Sequence, residues 1–274
     1  MREPFLTGES MGLGNLQIYW QAIDQEFKAL DALPSLEGHR LLSARAFDQA
    51  QVAGPRTYME VIRYLGVARD NHLALLALLK HHGATLWAPW SLLRPTFETS
   101  FYAAWLLDPD DGRERRTRGL RCEVNDCYQQ RSQRAAFKVL PEVRHLIEKA
   151  EKDLDRGSLK TYREEAAKLG RPWDKVHQKV NVADELPKLS FVKQQREFAP
   201  FLVATWRLLS GFEHGLGWAL LNGTHRKVEA EVPGGFTVEL VIDDEAFLLA
   251  AKSTYFLLLS ACHLLKRRHL EPIR

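Results

Sequence analysis

Residues Arg226–Leu265 read RKVEAEVPGGFTVELVIDDEAFLLAAKSTYFLLLSACHLL, and the period of the chain changes in the middle of them. Arg226–Val232 and Phe236–Ile242 alternate apolar and polar residues, the period of two that belongs to a strand. Pro233-Gly234-Gly235 between them supplies the positive-φ positions that a hairpin turn requires. Asp243 or Asp244 then caps a helix that runs to about Leu265. Lys266-Arg267-Arg268 beyond it suits the negative end of the helix dipole. The segment Phe247–Leu265 approaches membrane-spanning length, but Lys252, Ser253, Thr254, Ser260 and His263 interrupt it, so it reads as a buried helix and no membrane partner is expected.

Upstream of the hairpin the period is helical. Leu16–Ala32 is apolar at Ile18, Ile23, Phe27 and Leu30, and breaks follow at Pro34, Gly38, Gly54 and Pro55. Tyr58–His82 spaces Met59, Ile62, Leu65, Leu73, Leu76 and Leu79 mostly by three, which predicts a helix with those residues facing a core. Pro89–Leu107 reads as the next helix, with Pro95 placed near its first turn, where a missing N–H costs little. The loop Asp108-Pro-Asp-Asp-Gly112 leads into an arginine-rich helix, Arg113 to about Val139. Pro141 restarts a charged piece over Glu142–Leu169. Ser190–Leu221 is again apolar at helical spacing, with Phe191, Phe198, Phe201, Leu202 and Leu209 as core candidates.

The predicted fold is therefore all-α: a multi-helix bundle with one small β-hairpin inserted before the last helix. No linker long enough to separate a pair of domains is visible, so residues 1–274 read as a single helical domain. Within it, residues 141–187 form a peripheral charged helical insertion and residues 226–242 the hairpin.

Composition narrows the class of protein without naming an activity. Hydrophobic residues make up 45% and charged residues 27% of 274, which excludes disorder over most of the length. A net charge of +3 is too close to balance to imply nucleic acid or an anionic membrane by charge alone. Cys122, Cys127 and Cys262 are too few and too irregularly spaced for a disulfide framework and read as reduced thiols. The start, MREPFLTGESMGLG, lacks the basic segment and apolar run of a signal peptide. A cytoplasmic location is expected.

Common catalytic signatures are missing from the sequence. It contains no GxxxxGK[ST], GxGxxG, HExxH or GxSxG, and no pattern pointing to a metal or an organic cofactor. One polar face remains, in Trp206-Arg-Leu-Leu-Ser-Gly-Phe-Glu-His-Gly215. At 100° per residue Arg207 and His214 lie about 20° short of two full turns apart, hence on one side of a helix, with Ser210 between them. Small residues at 210, 211 and 215 would let another backbone or a substrate come close. The same pair can also be read as a buried polar contact that fixes helix packing. Trp206 and Trp218, which flank the motif, read as packing residues.

Arginine, six residues, then histidine on a late bundle helix resembles the Arg-x(4–6)-His signature of the HEPN superfamily of all-helical domains. The blocks LRPTFETSFYAAWLLD (93–108) and LSGFEHGLGW (209–218) also resemble an uncharacterised set of bacterial, largely actinobacterial, helical proteins. The HEPN resemblance implies a homodimer and, in many members, metal-independent endoribonuclease action, with a toxin or defence effector as its setting. It would make Arg207 the ligand of the scissile phosphate and His214 the group that moves a proton as the RNA 2′-hydroxyl attacks, since imidazole titrates near neutral pH. Many nuclease members place a polar residue directly after the arginine; here it is Leu208.

Arg94 and Glu98, four apart on the earlier helix, read either as a local ion pair or as groups that converge on the motif. In the second case Glu98 orients Arg207 or His214, and Arg94 adds a cation for substrate. Arg115 and Arg118, in the basic stretch 113–121 with Trp105 and Tyr128 nearby in sequence, are candidates for contact with RNA phosphates. The alternative function is a non-catalytic helical module that binds RNA, a small ligand or a partner protein through the same face.

Overall fold

The computed structural model describes residues 14, 16–36, 43–195 and 197–271. The amino-terminal stretch read against a signal peptide and the break at Gly38 lie outside the described residues. The chain is an all-α bundle with a two-stranded antiparallel hairpin before its last helix. In order come α1 (Leu16–Asp31), α2 (Ala44–Gln49), α3 (Gly54–His82), α4 (Ala88–Leu107) and α5 (Gly112–Ala136). The charged middle follows as α6 (Pro141–Arg156), α7 (Ser158–Lys168) and the single turns α8 (Trp173–Val176), α9 (Val182–Glu185) and α10 (Ser190–Lys193). Then come α11 (Phe198–Glu213), α12 (Gly217–Asn222), β1 (Thr224–Val232), β2 (Gly235–Ile242) and α13 (Asp244–Leu270).

Two compact units emerge, with three of their boundaries inside α3, α4 and α13 and two between elements, at 34/35 and 181/182. Unit 1 comprises residues 1–34, 63–104 and 182–266, and unit 2 comprises 35–62, 105–181 and 267–274. Where the division runs through a continuous helix, no Pro-, Gly- or Ser-rich linker marks it in the sequence.

The core of unit 1 is aromatic. Trp90 stacks on Phe212 with ring centroids 4.4 Å apart, and Phe247 meets Trp90 edge-on at 5.3 Å. On α13, Tyr255 accepts a hydrogen bond from Trp20 Nε1 (3.1 Å) and meets the ring of His72 edge-on. Phe256 packs on Phe191 and Phe198. This helix is long and apolar enough to cross a membrane, but 61% of its most apolar window is buried within the protein. Asp243 caps it, its Oδ1 accepting from the N–H groups of Glu245 and Ala246 at 3.0 Å each.

In unit 2 the carboxylate of Asp48, fully buried, takes Arg115 Nε at 2.7 Å and the Tyr58 hydroxyl at 3.0 Å. Burial together with that carboxylate pushes the Tyr58 phenol well above its ordinary range. Leu154, Leu159, Tyr162, Ala166, Leu169 and Val176 pack with Leu120 and Val124 of α5 in one apolar cluster. The part of the charged segment up to Val176 therefore supplies core to unit 2 as well as solvated surface.

Several sequence expectations shift once packing is known. On α3 the buried face is Tyr58, Val61, Leu65, Ala68, His72, Leu75 and Leu79. Met59, Ile62 and Leu73, expected to face a core, are exposed, because α3 carries apolar residues on more than one side and spacing alone could not choose between them. Phe201 is likewise exposed, while Leu202 and Leu209 are buried. Pro95 lies inside α4, beyond the first turn, where its ring leaves the Ser91 carbonyl without the usual amide. The pieces 142–169 and 190–221 are each interrupted, the first at Gly157 and the second after Lys193 and again after Glu213. The hairpin begins slightly earlier than the alternation suggested, and Gly234 at φ +90° makes its turn.

Candidate functional site

Helix α11 stops at Glu213 because of the residues that follow it. Gly215 has φ +64°, its N–H donates to the Phe212 carbonyl (3.0 Å), and the Leu216 N–H donates to the Gly211 carbonyl (2.9 Å). This pair of reversed bonds is the Schellman closure that a glycine just past a helix makes possible. His214 becomes the C-cap residue, its own N–H returning to the Ser210 carbonyl at 3.1 Å. The chain then turns back, and α12 packs over α11 at Gly211, where a Cβ would collide with Trp218 and Ala219. The small-residue notch expected to admit a second backbone or a substrate is thus filled at Gly211 by the chain's own next helix.

Arg207 and His214 are both exposed, and among the described residues neither side chain has a hydrogen-bond or ion-pair partner. Ser210, half-buried, lies between them, and Leu208 is half-buried as well. The alternative in which the pair is a buried packing contact does not describe these surroundings. Beside this face Leu216, Trp218 and Leu221 are exposed, so Trp218 packs on Gly211 with only some of its indole.

Arg94 is the opposite case. Its side chain is 8% exposed, and Nη1 donates to the Trp206 carbonyl at 3.2 Å. Nη2 pairs with Glu98 and Nε with Glu213, each at 3.2 Å, the second without hydrogen-bond alignment. The guanidinium also lies over the Trp206 ring, 5.1 Å from its centroid. So Arg94 and Glu98 do pair, but the arginine is buried and it straps α4 to the end of α11. No hydrogen bond or ion pair joins Glu98 to Arg207 or His214 among the described residues.

Sequence reasoning missed Glu213 and Trp206 as partners of Arg94. A signal for Glu213 was present: an acid in the last turn of a helix opposes the dipole and calls for a cation nearby.

The basic stretch of α5 belongs to unit 2, and its arginines are spent on the fold. Arg115 is 2% exposed and donates to Asp48 and to the carbonyls of Pro109 (2.7 Å) and Asp110 (2.8 Å), so its expected role in substrate binding gives way to holding the loop before α5. Arg118 donates to the Trp105 carbonyl (2.6 Å) and lies over that ring at 4.8 Å, with Glu114 at 3.3 Å; it too serves packing. Arg116 reaches the carbonyls of Gly112 and Val52, and Arg121 that of Gln178. Long flexible cations here reach backbone carbonyls, most of them in loops and at helix ends, and this explains an arginine-rich helix that leaves little charge free.

No family model, curated protein or solved structure matches this chain. Function then rests on the side chains. The described residues contain no cluster of three or more His, Cys, Asp or Glu with the geometry to hold a metal ion. None of the three cysteines forms a disulfide, and Cys122 and Cys262 are buried. What unit 1 presents to solvent at the end of α11 is a free guanidinium, a free imidazole and, beside them, an indole.

Proposed function

We propose that the Arg207–His214 face cleaves RNA without a metal, in the manner of a HEPN-like endoribonuclease acting as a homodimer in a toxin or defence setting. The observation that supports this is the exposure of both side chains with no internal partner, since a structural arginine in this protein is surrounded by acceptors, as Arg94 is. Arg207 binds the scissile phosphate. The 2′-hydroxyl attacks phosphorus, its proton leaves, the 5′-oxygen departs and gains a proton, and His214 serves one of these transfers. Ser210, between the two, contributes a hydroxyl to the phosphate. Arg94 with Glu98 acts at one remove by fixing the end of α11 through Trp206 and Glu213.

A second reading is a non-catalytic module that binds RNA, a small ligand or a partner protein through the same face. The exposed Trp218, Leu216 and Leu221 favour it, because they add apolar contact area that catalysis does not require. One experiment separates the two. Purified wild type and His214→Ala are incubated with labelled mixed-sequence RNA in EDTA, from mildly acidic to mildly basic pH. Cleavage by wild type alone, leaving 2′,3′-cyclic phosphate ends, is the expected result. RNA retention without cleavage by either folded protein would overturn the nuclease reading in favour of the module.

A further inference from the structure

Six of the seven tryptophans in this chain are engaged by a ring, a hydroxyl or a guanidinium. Trp87 and Trp90 pack on Phe212, Trp20 donates to Tyr255, and Trp105, Trp173 and Trp206 each carry an arginine over the ring. Trp218 is the exception: it is 47% exposed, and among the described residues no ring or guanidinium covers it. Its exposure does not come from loose attachment. Cζ2 and Cη2, on the six-membered ring, rest against Gly211, and the next residue, Ala219, is fully buried. Asn222 Nδ2 also donates to the Trp218 carbonyl at 2.8 Å, within the same short helix. The indole is fixed along one edge and open elsewhere.

Gly211 follows Ser210 directly and lies four residues beyond Arg207, about 40° further round α11 at 100° per residue. Trp218 therefore meets α11 in the sector where Arg207 sits, and His214 caps that helix just beyond. The result is a cation open to a phosphate beside a flat apolar surface open to a base. Leu216 and Leu221, exposed on either side of Trp218 in sequence, add apolar area around it. A nucleotide has the same two parts, an anionic phosphate and a planar base, held together by one sugar. Single-strand grooves pair cations along the backbone with aromatic rings that take the bases. Inside a duplex each base is sandwiched between its neighbours, so an indole takes only a base that is unpaired and splayed out.

We propose that Trp218 is the stacking platform for an unpaired base next to the phosphate held by Arg207, which makes single-stranded RNA the substrate class of this face. This inference rests on the reading of Arg207 as a phosphate ligand, and it gives a role to a side chain that RNA cleavage itself leaves unused. The recognition tolerates sequence, because every base has a face to offer. Trp218 moves no proton; it holds the strand in register with Arg207 and His214.

The test reads binding and cleavage separately, on the full chain in EDTA and at one salt concentration. The probe is a short end-labelled RNA of mixed sequence, offered alone or annealed to its complement. Binding is measured in the His214→Ala background, which keeps the probe whole. That protein is expected to prefer the single strand, and adding Trp218→Ala should weaken single-strand binding by about fivefold or more while leaving the duplex unaffected. Trp218→Phe, which keeps a flat ring, should restore most of the affinity. In the cleavage assay Trp218→Ala alone should raise KM by a similar factor and lower kcat less, with an unchanged helical circular dichroism spectrum. Equal retention of single strand and duplex, binding indifferent to Trp218→Ala, or a loss that Phe does not rescue would each overturn the proposal. RNA retained through Trp218 yet cut by no protein supports the stacking and sinks the nuclease reading alone. RNA held by none of the proteins overturns both.

Discussion

Arg94 and Arg207 sit on helices that one of them ties together, and their surroundings differ in kind. Around Arg94 are a carbonyl, two carboxylates and an indole face, all supplied by the protein. Its replacement by Ala removes a packed side chain and a strap, and is expected to lower stability by about 2 kcal/mol, read as a shift in the urea midpoint. Lysine is a poor substitute, because one ammonium cannot serve two carboxylates, a carbonyl and a ring at once. Arg207→Ala and His214→Ala remove exposed groups that touch nothing polar, so each should change stability by less than about 0.5 kcal/mol. The same two substitutions are expected to reduce RNA cleavage by roughly 10²-fold or more. A large stability loss in either variant, measured by the same urea melt, would mark that residue as structural.

At the scale of elements, α2, α3 and α5 are locked by one buried carboxylate. Asp48 receives Arg115 and Tyr58 in a place where neither charge reaches water. Asp48→Ala leaves the guanidinium of Arg115 buried without its counter-charge, and should cost about 3–5 kcal/mol in a denaturant melt. Pairing it with Arg115→Met removes the orphaned charge and should return some of that loss, so the two substitutions are expected to be non-additive. Glycines allow the close approach that the lock needs, since a Cβ on Gly119 would collide with the Thr57 side chain and one on Gly112 with Asp48. None of this could be read from the sequence of α5, which shows a run of arginines and no amphipathic face. A basic stretch looks the same on paper whether its cations meet phosphates or carbonyls.

For the molecule as a whole, the buried imidazole of His72 adds a pH dependence of its own. His72 on α3 is 3% exposed, edge-on to Tyr255, and its Nδ1 has no hydrogen-bond partner. Burial pushes its pKa down to about 4, against a smaller opposing pull from Asp24. Above the unfolded value of 6.5 the ring is neutral in both states and contributes no slope. As pH falls from 6.5 towards 4 the unfolded chain takes up a proton that the folded protein refuses, so stability drops by about 3 kcal/mol over that window. The measurement is the difference in urea midpoint between neutral pH and pH near 4, in wild type and in His72→Leu. The variant should lose that share of the slope, while the carboxylates common to both proteins cancel.

The sequence by itself determined the class of fold. Periods of three to four residues, Pro and Gly punctuation and one change to a period of two gave an all-α bundle with a hairpin ahead of the last helix, because these signals are local and written residue by residue. It also set Arg207 and Ser210 on one side of α11, since helical geometry converts spacing directly into direction, whereas the turn at Gly215 makes His214 the cap of that helix. The tertiary structure alone decided which apolar side of α3 is buried, that Gly211 receives Trp218 and Ala219, and that Arg94 closes on Glu213 while Arg207 stays open. It alone turned Arg115 and Arg118 inward. Those outcomes depend on which carbonyls and carboxylates arrive from distant regions of the chain. A long charged side chain goes wherever its acceptors are, and its own sequence neighbourhood does not say where that is.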